Sequence, residues 1–179
     1  KDKSELKMTR SLGNLSDEGR ILMFNAFAGG ILWVGHELIW VDPASPELIV
    51  YDFEKDEVKY FKFDDEHFKV EDWNYEIEAS QKTFQHIRDY IFSNSRIVSL
   101  QKLMRHILVE VEHFVDNNSV IYYHIFDFNY EHIGKIKYGE GGWENYIRGI
   151  DQNRLIFWGE DYNETGQMNS MIVRELIIR

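Results

Sequence analysis

An internal repeat is the feature of this sequence that most restricts its fold. The segment YDFEKDEVKYFKF at residues 51–63 matches FDFNYEHIGKIKY at residues 126–138, without a gap. Each copy has an aromatic residue, an aspartate and a phenylalanine, then a polar loop, then an alternating strand. The likeness continues upstream, where LIWVD ends at Asp42 and EHFVD ends at Asp116. Such self-similarity indicates that one supersecondary unit recurs along the chain.

A third copy lies near the end of the chain. ILWVGHELIWVD at residues 31–42 is similar to YIRGIDQNRLIFWGED at residues 146–161, since each has two short strands joined by a tight polar turn. The length of the repeated units is near the ~40–50 residues of a four-stranded propeller blade. We therefore predict an all-β, β-propeller-like fold in one domain, half of a six-bladed ring. Its three four-stranded antiparallel units are predicted at residues 24–63, 97–138 and 145–179.

Both faces of the predicted hairpins are apolar. With EKDE as the loop of the first hairpin, Tyr51 pairs with Tyr60 on one face and Val50 pairs with Phe61 on the other. A sheet with one solvated face alternates apolar and polar residues, so this hairpin is predicted to be covered on both sides. Blades stacked around an axis bury both faces in this way. A small β-barrel or sandwich, in which the repeat is fortuitous, is the alternative.

Some segments fall outside the repeat. Residues 64–96 fit no unit, and their acidic start predicts an excursion or edge hairpin. Near their end, Phe84, Ile87 and Ile91 have helical spacing and predict a short helix. Residues 4–12 alternate weakly and predict a lone strand. The third unit ends after its third strand, which is typical of a ring closed by strand exchange.

The segments GGILWVGHELIWVD, LIVYDFEKDEVKYFKF and HILVEVEHFVDNNSVIYYHIFDFNYEHIGKIKY resemble the six-bladed β-propeller proteins of Bacteroidetes, an NHL-like group of secreted or lipid-anchored proteins. RLIFWGED and MIVRELIIR extend the resemblance to about two-thirds of the chain. It implies a periplasmic or cell-surface location, although no signal peptide is visible, and it assigns no catalytic residue. Three units are half of six, which implies a homodimer or a missing N-terminal half.

Composition excludes several classes of partner and site. The chain has 20 basic and 31 acidic residues, a formal charge of −11, which argues against binding nucleic acid or anionic lipid. The absence of cysteine excludes disulfides, thiolate metal sites and a cysteine nucleophile. No apolar run reaches the ~18–20 residues of a transmembrane helix.

Histidines and carboxylates cluster in the second unit, but strand geometry separates them. A turn at residues 117–118 pairs His113 with Tyr122, and it places Glu110 and Glu112 on the face opposite His113 and His124. We therefore predict buried, hydrogen-bonded histidines, no metal site and no cofactor. A second group of acidic residues, the aspartates at strand ends, is predicted to bond turn amides: Asp42, Asp52, Asp116 and Asp127.

The loops offer one candidate ligand-binding residue. GEDYNETG lacks the spacing of a calcium loop, and GEGGW lacks the lysine and hydroxyl residue of a phosphate loop. Trp33 and Trp40 lie in apolar strands and are predicted to be core residues. Trp143 lies in the glycine-rich loop and is the tryptophan expected to stack on a ligand.

These features predict a non-catalytic binding or scaffold module that presents loops to a protein, peptide or glycan. The alternative is a metal-dependent hydrolase of the lactonase type. That enzyme needs carboxylates and histidines at the openings of the inner strands, where this chain has Trp33, Ser99 and Arg148. No enzymatic activity is therefore expected.

Overall fold

Three antiparallel sheets and two short helices make up the described part of this all-β chain. The computed structural model describes residues 14–26, 28–73, 84–103, 105–115, 118–140, 148–151, 154–162 and 168–177. Within these residues no helix has the length and hydropathy needed to cross a membrane. The lone strand predicted at residues 4–12 lies outside them.

The first sheet follows helix α1 (Asp17–Ala26) and is a four-stranded meander. Its strands lie in the order β1–β2–β3–β4, with every neighbouring pair antiparallel. Their bounds are Gly30–Val34 for β1, Glu37–Val41 for β2, Glu47–Asp52 for β3 and Glu57–Lys62 for β4. This sheet corresponds to the first predicted unit, except that residues 24–26 belong to α1.

The second sheet repeats the same order with longer strands and follows helix α2 (Phe84–Ser93). Its four strands are β5 (Arg96–Leu103), β6 (His106–Val115), β7 (Asn118–Asp127) and β8 (His132–Glu140), in the order β5–β6–β7–β8. Helix α2 confirms the helix predicted from the spacing of its apolar residues.

The third sheet has three strands among the described residues, as expected for a unit that ends after its third strand. The strands β9 (Arg148–Asp151), β10 (Arg154–Tyr162) and β11 (Met168–Ile177) pair in the order β11–β10–β9. The pairing of β9 with β10 corresponds to the two strands and tight turn recognised in residues 146–161.

The main core lies between the first and second sheets. Alternate residues of each strand point to this interface, because successive side chains of a strand face opposite sides. Gly30 lets β1 approach β5 closely, since a Cβ atom there would lie 2.8 Å from the backbone nitrogen of Leu100. The fully buried members include Ile39, Leu48, Val50, Ile97, Ile107, Val109, Val111 and Phe126.

The second sheet is buried on both of its faces. The first sheet is fully buried only on the face that packs against the second sheet. On the far side of the second sheet, Leu103, Leu108, Tyr123 and Ile125 form another buried cluster. In the first sheet β3 is buried on both faces, but almost every residue of β4 is exposed. The prediction that the first hairpin is buried on both faces is therefore wrong for β4, which is an edge strand.

Both predicted hairpin registers are wrong by two residues. Tyr51 pairs with Val58 rather than Tyr60, and His113 pairs with Val120 rather than Tyr122. Strand β4 begins at Glu57 and β7 begins at Asn118, so each turn lies one residue earlier in the chain than the loop motifs indicated. A shift of two residues leaves each side chain on its own face, so the predicted faces agree with the structure.

Helix α1 was not predicted, and its first turn explains why it forms. The Ser16 Oγ accepts the Gly19 backbone N–H at 2.9 Å, and Asp17 and Glu18 place negative charge in the first turn. Asp42, at the end of β2, accepts the Ser16 backbone N–H at 2.7 Å. The helix start is thereby attached to the first sheet, and Leu22 packs in a small cluster with Ile91.

Val50→Asp is expected to destabilise the protein by about 3 kcal/mol or more, because Val50 is 1% exposed and a carboxylate there has no partner. Chemical denaturation measures the change. Val58→Asp on the exposed strand β4 is the matched control and should cost less than ~1 kcal/mol. Equal effects of the two substitutions would contradict the burial of β3 between the sheets.

Candidate functional site

The face of the first sheet that points away from the second sheet, called here the outer face, is apolar. Its residues on β3 are buried, whereas those on the edge strands β1 and β4 are open to solvent. Its edge residues are highly exposed: Ile31 is 70%, Tyr60 is 61% and Trp33 is 56% exposed. The register places four strands' apolar side chains side by side on it. The outer face consists of Ile31, Trp33, Leu38, Trp40, Ile49, Tyr51, Phe53, Val58 and Tyr60.

Aromatic contacts order the outer face. The Phe53 ring centroid lies 4.9 Å from that of Trp33 and 4.6 Å from that of Tyr51. The polar ends of two rings are satisfied locally, since the Trp33 Nε1–H donates to the Gly35 carbonyl and the Tyr51 hydroxyl donates to Asp56. What the face offers a partner is therefore apolar surface. Trp33 was predicted to be a core residue, and its exposure shows that prediction to be wrong.

The outer face is open, but the edge beside it is protected. Strand β4 carries Glu57, Lys59 and Lys62, and these charges oppose pairing with a strand from another chain. A partner would therefore lie on the face and would not extend the sheet at this edge.

A pocket of about 480 Å³ lies beside the outer face. It lies between α1 and the first two strands, and Ile31 and Trp40 belong to both the pocket and the outer face. Its other walls are mainly apolar, with Leu15, Met23 and Val41 among them. The pocket extends the apolar surface and gives it depth, so a side chain of a docked partner could enter it.

Within the described residues, His36, Glu37 and Asp52 bring their ligand atoms close enough to hold a metal ion. The carboxylates already have partners. The Lys55 ammonium lies 2.9 Å from Asp52 Oδ2, and the Tyr130 hydroxyl donates to Glu37 Oε2 at 2.5 Å. The Lys55 hydrogen bond, with backbone N–H groups, lowers the pKa of Asp52 to about 2 although burial opposes the change. Asp52 is thus an ionised turn residue with its own cation.

Adding EDTA, or Zn²⁺ at a few equivalents, is expected to leave the melting temperature unchanged, because Lys55 and Tyr130 occupy the carboxylates of this group. Differential scanning calorimetry of the wild type and of His36→Ala provides the measurement. A rise of several degrees with Zn²⁺ in the wild type alone would revive the metal-dependent alternative.

The predicted turn role of the strand-end aspartates is confirmed where the structure describes them. Asp42 accepts the Ala44 backbone N–H, and Asp52 accepts those of Glu54 and Lys55. Asp127 accepts the backbone N–H groups of Asn129 and Glu131. Asp116 and Trp143, the predicted ligand-binding residue, lie outside the described residues.

His113 and His124 are buried and hydrogen-bonded, and both contact the carboxylate of Asp65. His113 Nε2 lies 3.0 Å and His124 Nε2 lies 2.8 Å from Asp65 Oδ2, while Lys135 Nζ lies 2.8 Å from Oδ1. We call these four residues the Asp65 centre. Glu110 and Glu112 lie on the opposite face, as predicted, and bond Ser99 and Arg96 there.

The Asp65 centre holds a charge in the interior. Burial alone would raise the pKa of Asp65, but hydrogen bonds from His113, His124 and Lys135 together outweigh it and hold that pKa well below its usual range. The side chain of Asp65 is fully buried, so a carboxylate there depends on these three donors. Sequence reasoning missed Asp65; its one signal was an acidic residue three positions after the end of strand β4.

Asp65→Asn is expected to destabilise the protein by about 3–5 kcal/mol at pH 7, because it leaves the Lys135 charge without its partner. The exposed neighbour provides the control Asp64→Asn, which should cost little. Since the pKa of Asp65 is lowered by folding, its contribution is complete above ~3.9 and is lost as the pH falls further. Urea denaturation of the wild type and of Asp65→Asn between pH 7 and pH 3 gives the difference between their free energies of unfolding. We expect this difference to narrow as the pH falls. A difference that stays constant would contradict this account.

The chain was compared with protein-family models and with curated proteins. No family model matches it, and no curated protein matches it either.

Proposed function

We propose that this chain is a non-catalytic binding module and that its outer face is a docking surface for another protein. The observation that carries the proposal is the row of exposed apolar side chains on an ordered sheet. Large exposed apolar patches on soluble proteins mark interaction sites. The five most exposed members are Ile31, Trp33, Phe53, Val58 and Tyr60.

The chemistry of the outer face favours a protein partner over a sugar or a nucleic acid. A sugar site combines an aromatic ring with polar groups that bond hydroxyls, and the central part of the outer face has apolar side chains. Charged residues border the outer face at one end, where Glu47 pairs across strands with Lys62. The formal charge of −11 opposes nucleic-acid phosphates.

The occupant we propose is the apolar sheet of a second copy of this chain, packed face to face. Two sheets bury their apolar faces by stacking about 10 Å apart. A twofold axis could set the Glu47 carboxylate of one copy opposite the Lys62 ammonium of the other. Such stacking would give a homodimer, which is one of the two assemblies that the resemblance to Bacteroidetes propellers implies. That resemblance also implies a periplasmic or cell-surface location.

The expected affinity is moderate. An aromatic side chain can bury roughly 150–250 Å². The five exposed side chains then supply on the order of 500 Å², less than the ~800 Å² per partner of a standard stable interface. Association in the micromolar range is therefore expected from the outer face alone.

Trp33→Lys and Tyr60→Lys are expected to weaken self-association at least tenfold, because docking would bury an unpaired ammonium. Each substitution also reduces the net negative charge, and therefore the electrostatic repulsion between two copies. This effect alone would strengthen self-association, so it cannot produce the expected weakening. Sedimentation velocity between 1 and 200 µM measures the effect, and Phe84→Lys, at an 81% exposed position on α2, is the control. A wild type that stays monomeric throughout this range would overturn the proposed second copy.

A further inference from the structure

The Asp65 centre extends to the surface through a pair of histidines. His124 donates from Nε2 to Asp65, and its Nδ1 lies 3.1 Å from the Nε2 of His132. His124 is completely buried, whereas His132 lies on β8 with access to solvent. A continuous chain of hydrogen bonds, called here the file, thus runs from the buried carboxylate of Asp65 through His124 to His132 at the surface.

The geometry limits how many protons this file can hold. A neutral imidazole has one N–H and one acceptor nitrogen, and an imidazolium has two N–H groups. Asp65 requires a proton on His124 Nε2, and a single proton fits between His124 Nδ1 and His132 Nε2. The two rings can therefore hold three N–H protons together while the hydrogen bonds of His124 to Asp65 and to His132 are both kept. Two neutral rings hold only two such protons. A fourth proton would set two N–H groups against each other.

The surrounding charges also disfavour a fourth proton. Asp65 supplies the single negative charge of the centre, and Lys135 already balances it at 2.8 Å. His113, on β6, bonds the same carboxylate from the other side. Burial, followed by repulsion from His124, lowers the pKa of His132. Each further imidazolium is thus added without a matching carboxylate.

We propose that the His124–His132 pair is a proton-operated latch, in which uptake of the fourth proton separates the two rings and moves the His132 ring away from the second sheet. The ring of His132 packs against Phe126, with centroids 5.1 Å apart, and lies beside Phe63. Release of the His132 ring uncovers the ring of Phe126, on β7, and that of Phe63, which directly follows β4. The latch is independent of the docking proposed for the outer face.

NMR of the histidine rings tests the latch in the whole chain, labelled with ¹⁵N, between pH 8 and pH 4.5. At pH 8 we expect His124 to carry its proton on Nε2 with Nδ1 unprotonated. During acidification His132 should gain its proton first, and the Phe63 and Phe126 ring signals should shift in a later, separate step. Protonation of His124 Nδ1 at pH 8, or ring signals that shift with the first step, would overturn the proposal.

His132→Gln separates titration from hydrogen bonding, because the glutamine amide can donate to His124 Nδ1 and does not titrate. Since folding lowers the pKa of His132, the wild type loses stability as the pH falls below ~6.5. We expect the fall in melting temperature from pH 7.5 to pH 5 to shrink by at least half in His132→Gln. His86→Gln, on α2, is the control, and its melting temperature should fall as much as that of the wild type between pH 7.5 and pH 5. An equal fall in melting temperature in all three proteins would contradict the latch.

Discussion

The buried carboxylate of Asp65 holds the two main sheets in their arrangement. It lies just after β4, the last strand of the first sheet, and it accepts hydrogen bonds from β6, β7 and β8 of the second. The segment that follows continues this attachment, since the Ser95 N–H donates to the Lys69 carbonyl and Asn94 accepts the Glu71 N–H. An ionised group without these donors would be too costly to bury.

The sequence allowed the faces of the strands to be predicted, because the side-chain period of a strand is two and apolar residues keep to it. The exact pairing could not be predicted, since a slip of two residues satisfies the same alternation. The Asp65 centre was missed because its members lie up to 70 residues apart, Asp65 to Lys135, and meet only once the strand order is known. Helix α1 was missed although Ser16 and its acidic neighbours form an ordinary helix start.

The outer face shows why composition does not distinguish a buried face of a sheet from an exposed one. Ile39 and Val50 point inward and are buried, while Ile31 and Trp33 in the same sheet are more than half exposed. Both faces carry the same residue types, so alternation alone predicted that both are covered. What separates them is the presence of a second sheet on one side, and tertiary packing alone provides that information.

The glycine at position 30 has a consequence for the shape of the molecule. The two main sheets nearly touch at β1 and β5, where a hydrogen atom takes the place of a side chain. Toward β4 the rings of Phe61 and Tyr130, with centroids 4.6 Å apart, fill the space between the sheets. The interface therefore tapers like a wedge, narrow at one edge and wide at the other. A further sheet added at the same angle would bend the stack into an arc with β1 and β5 on its inside.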